Sequence, residues 1–68
     1  MTIEKSNMIV VTTRKEGKEK NTAIVLDKVQ AFQLDGDRLN IFVEGSIFSV
    51  CLDIQYVWSS LVTHFSAN

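Results

Sequence analysis

At 68 residues, with 46% hydrophobic and 22% charged side chains and a formal net charge of −1 at pH 7, the chain has the composition of one folded domain and not of a disordered segment. Its near-neutral balance gives no global attraction to nucleic acid or anionic membrane, and a lone cysteine, Cys51, excludes an internal disulfide and a cysteine-rich zinc site. A domain this small is marginally stable by itself, and with those two staples removed oligomerisation is the one that remains.

Met1–Asn7 leads into the short mixed run Met8–Thr13 and not into a secretory signal, and no apolar run approaches the ~18 residues of a membrane span. The expectation is a soluble cytoplasmic protein with no membrane partner, folded as a single domain over 1–68, with 1–7 flexible and 66–68 frayed. Met8–Arg14 is rich in β-branched residues and predicts a strand, and the charged stretch Lys15–Asn21 predicts an exposed loop after it. Ala23–Leu34 is strand-like, but its alternation stumbles at Asp27-Lys28, where a β-bulge or a break into two short strands resolves the conflict.

Two tight turns follow. Asp35-Gly36-Asp37 separates Leu34 from Arg38, and Gly45-Ser46 sits between Glu44 and Ile47 with glycine where a type II′ turn needs positive φ. Taking Gly45 and Ser46 as the loop residues predicts the pairs Val43 with Phe48, Ile41 with Val50 and Leu39 with Leu52, all apolar on one face. Asp53 is placed to cap a helix whose apolar residues, Ile54, Val57, Trp58, Leu61 and Phe65, share one side. The predicted fold is therefore α+β: a four-stranded antiparallel β-meander followed by one C-terminal amphipathic helix packed on one sheet face.

From Leu39 to Asn68 only Glu44 and Asp53 are charged, whereas all seven Lys and Arg lie in the first 38 residues. So apolar a tail points to a surface covered by another chain. The predicted outer sheet face supplies Val29, Phe42, Ile47 and Cys51, and the uncharged back of the helix supplies Tyr56, Ser59 and Ser60. The primary expectation is a non-enzymatic protein–protein interaction module, a homo-oligomeric adaptor or regulator whose partners are itself and a second protein, with no cofactor.

Catalysis by Cys51 and His64 is disfavoured, because the predicted fold puts them on opposite sides of the sheet. Asp35 and Asp37 are explained by their turn, since the twelfth position of a calcium loop starting there is Ser46 and not Glu. Arg14, Lys15, Lys18 and Lys20 cluster near the first loop and suggest the alternative function, a small nucleic-acid-binding regulator. Thr13-Arg14-Lys15-Glu16-Gly17 resembles the opening Thr-Arg-Lys-x-Gly segment of the carbon storage regulators, small β-rich dimers that bind RNA and end in a short helix. The resemblance implies RNA as the ligand. The chain departs from that pattern before its helix, with Cys51-Leu52-Asp53 in place of a basic His-Arg.

Overall fold

The structure, a computed structural model, describes residues 7–66; the expectations for 1–6 and 67–68 lie outside the described residues. It is α+β, with one antiparallel sheet of five strands, β1 (Met8–Lys15), β2 (Lys18–Val25), β3 (Val29–Asp35), β4 (Arg38–Val43) and β5 (Ser46–Val50), followed by α1 (Ile54–Ser66). The strand order is β2-β1-β5-β4-β3. At the N-terminal margin Asn7 is tied down, its carbonyl accepting the Leu26 N–H at 2.6 Å. No helix among the described residues is long and apolar enough to cross a membrane.

The extra strand is a correction. Lys15–Asn21 is not a loop but a two-residue turn with strand on either side: Lys15 pairs with Lys18, Thr13 with Lys20 and Val11 with Thr22. Glu16 (φ 53°) and Gly17 (φ 79°) are both left-handed, which is the backbone of a type I′ turn and matches the twist of the strands it joins. Lys18–Asn21 forms strand through ladder bonds and not through burial, for all four residues are exposed. The stumble at Asp27-Lys28 is a break, a short 3-10 turn over Leu26–Lys28, and a bulge between Val29 and Ala31 follows it.

The bulge changes which way Val29 points. It pairs with Val43 and packs against the core, so Val29 is not on the outer sheet face. The β4–β5 turn is also one residue earlier than predicted: Val43 pairs with Ser46, Ile41 with Phe48 and Leu39 with Val50, leaving Glu44 and Gly45 (φ 79°) in the loop. Leu52 is thereby left beyond the strand, 55% exposed, and not on the inner face. Because the partners slide by two residues, each strand keeps the faces predicted for it.

β2 and β3 are the two edges of the sheet yet are joined by three residues. At about 4.8 Å per strand a flat sheet would hold these edges roughly 19 Å apart, whereas Val25 to Val29 spans at most about 14 Å of chain. The sheet must curl, and beside the connection Glu44 donates its N–H to the Lys28 carbonyl at 3.4 Å, which extends the β3–β4 ladder past Val29 and Val43. Inside the curl sit Val11, Ile24, Leu26, Leu39, Ile41 and Val50, and Val57 and Leu61 of α1 close the cluster. Trp58 lies at its margin, edge-on to Phe32 with ring centroids 5.3 Å apart, and Phe32 also meets Phe65 at 5.8 Å.

Asp53 starts α1, but by backbone shape. Its φ of 54° is left-handed, its carbonyl accepts the Val57 N–H at 3.0 Å, and no side-chain bond to its carboxylate is present among the described residues. Aspartate tolerates this conformation better than most residues. Asp53→Gly, which removes the carboxylate but suits the left-handed backbone, should leave the thermal midpoint essentially unchanged, within about 0.5 kcal/mol; a loss of about 1 kcal/mol or more would restore a side-chain cap. Leu61→Ala, at a fully buried position, should cost about 2–5 kcal/mol in urea denaturation, and more than Trp58→Ala at the half-exposed margin.

Candidate functional site

The β1–β2 hairpin meets the rest of the sheet along a short seam. Thr13 pairs with Val50, and the Cys51 N–H donates to the Thr12 carbonyl at 3.0 Å. Past Thr13 the hairpin tip and the first half of β5 separate, which leaves a gap in the sheet with a groove on each face.

Strand parity decides what lines each groove. Val11, Thr13, Lys15, Lys18, Lys20, Thr22 and Ile24 are on the inner face, so the row that fills the core near the middle of the hairpin ends as three lysines at its tip. The inner groove, about 720 Å³, is lined by these lysines, by Thr13 and Thr22, and across the gap by Ser46 and Phe48. The two threonine hydroxyls are 3.1 Å apart, and the Thr13 hydroxyl also donates to the Lys20 carbonyl at 3.4 Å. Phe48 is half-buried.

Arg14 belongs to the other face. It donates to Glu19 at 2.6 Å, and this bond, with a smaller contribution from the Cys51 thiol, holds the guanidinium above its ordinary pKa. This is the only ion pair among the described residues, and it draws Glu19 away from the lysines. Of the sequence-predicted cluster, Lys15, Lys18 and Lys20 are thus brought together, while Arg14 stands at the boundary and lines both grooves. The outer groove, about 350 Å³, lies against Ser49 and Cys51, with Arg38 and Asp37 from the neighbouring turn.

The predicted interface residues fall into separate patches. Phe42 and Ile47 form a cross-strand pair on the outer face, Ile47 exposed and Phe42 half-buried. Cys51 is half-buried at the seam, its S–H directed to the Thr12 carbonyl at 3.7 Å. Tyr56 and Ser59 are exposed and Ser60 is half-buried, on a helix packed against the opposite, inner face. Sequence reasoning missed a further patch, the exposed Met8, Val10 and Val25 on the outer face of the hairpin; the alternation of Met8 and Val10 with the inward Ile9 and Val11 was its signal. No family model matches the chain, and no significant match exists among curated proteins or solved structures. The likeness of Thr13–Gly17 to the carbon storage regulators is therefore a local one.

Proposed function

We propose that the protein is a small non-enzymatic regulator that binds single-stranded RNA in the inner groove. The observation that carries this reading is the excess of positive charge at the hairpin tip: three lysines share one face with no ion-pair partner among the described residues, while Glu19 is held on the other by Arg14 and Glu16 is the one carboxylate that lines the groove. Lys15, Lys18 and Lys20 supply phosphate contacts, and Phe48 offers an aromatic surface on which an unpaired base can stack. A stacking ring inside a groove favours a single strand over a duplex, whose bases are not free to reach it. The Thr13–Gly17 resemblance supports RNA as the nucleic acid.

The test is fluorescence anisotropy with a labelled 12-nucleotide RNA between 50 and 200 mM salt. Affinity should fall with a log–log slope of about −2, from roughly −0.7 for each of three phosphate contacts. Lys18→Glu with Lys20→Glu should weaken binding by about tenfold or more and flatten the slope. Absence of binding at 50 mM salt, or binding indifferent to salt, would refute the reading.

A second reading, the homo-oligomeric interaction module, is favoured by a different observation. Met8, Val10 and Val25 are 52%, 65% and 43% exposed on one side of one hairpin, an apolar patch facing away from the lysines. The two readings use opposite faces and are compatible. Val10→Asp should convert a dimer in sedimentation velocity to a 7.7 kDa monomer with its circular dichroism intact; a wild-type protein that is monomeric at micromolar concentration would remove this reading.

A further inference from the structure

Resting on the RNA reading, we infer that the bound strand passes through the gap in the sheet and places one base in the outer groove, where Arg38 takes part in recognising it. The inner and outer grooves share Arg14, Glu16 and Ser49 as lining residues, so they flank one gap, and we treat them as the two mouths of one slot. The slot exists because the β1–β5 ladder ends at Thr13 and Val50, and beyond that pair no strand bonds join the hairpin tip to β5.

The chemistry of the two mouths differs. The inner mouth is cationic. The residues that line the outer mouth, Arg14 and Arg38 against Glu16 and Asp37, sum to zero formal charge, Glu19 adds a carboxylate paired with Arg14, and Ser49 adds a hydroxyl that donates to Asn40 Oδ1 at 3.0 Å. A neutral pocket gives a phosphate no net attraction. One that sets guanidinium donors beside carboxylate acceptors instead suits the edge of a nucleobase, which presents both kinds of group. Arg14 is held in place by its pairing with Glu19, whereas Arg38 makes no ion pair among the described residues and has its whole fork of donors to offer a ligand. At about 350 Å³ the groove is at the small end of ligand pockets, a size that suits one base and not a longer segment.

Contacts to phosphate and to bases are separable by salt and by sequence. Binding of rA12, rC12 and rU12 is measured for the wild type, Arg38→Ala and Arg38→Lys at several salt concentrations, with circular dichroism to confirm folding. The wild type should prefer one of the three by about tenfold, and Arg38→Ala should reduce that preference to near unity with the salt slope unchanged. Arg38→Lys keeps the charge but not the planar fork of donors, and it should lose the preference as well. If the three RNAs keep their wild-type ranking in both variants, or if Arg38→Ala weakens all three equally and flattens the slope, the inference is overturned while the lysine groove stands. Failure of every probe to bind the wild type would overturn both.

Discussion

A three-residue connection between the two edge strands is the constraint on which the molecule depends. Leu26–Lys28 is too short to cross a flat five-stranded sheet, so the sheet bends to bring the end of β2 to the start of β3. Bending gives the inner face a concavity that α1 can close with Val57 and Leu61, and so it lets a short chain enclose a core at all. Leu26, the one buried residue of the connection, is itself part of that core. The link that forces the curl is therefore held by what the curl creates.

The gap has a separate origin: the hairpin tip runs on past Thr13, where the ladder to β5 has stopped. The molecule is accordingly long, 44 by 22 by 20 Å, with an apolar middle and a polar tip. The inner row of β1 and β2 runs from Val11 and Ile24 in the core through Thr13 and Thr22 to the lysines, so one alternation serves folding at one end and leaves charge for a ligand at the other.

Much of the fold was legible because it follows from local chemistry. Asp53 marks the start of α1, glycine marks the turns at Gly36 and Gly45, and the face of each residue in β4 and β5 follows from period two. What escaped had no local signature. The first half of β2 is exposed on both faces, so no alternation reveals it, and Glu16 occupies a left-handed position where Asn, Asp or Gly is the familiar signal. The bulge that turns Val29 inward is a property of pairing with β4, not of its neighbours in sequence. The four basic residues were visible as a cluster, but the division between Arg14 and the lysines needed strand parity, which a loop does not possess. Arg38 lies far from them in sequence and near them only across the sheet.

Trp58 is the only tryptophan of the chain, and it sits edge-on to Phe32 where α1 meets β3, the sheet edge opposite the hairpin. Its near-ultraviolet absorption and emission thus read the joint between helix and sheet. The molecule carries a built-in optical reporter of its own integrity, whose partner Phe32 shares a cross-strand row with Ile41 and with Phe48 of the inner groove.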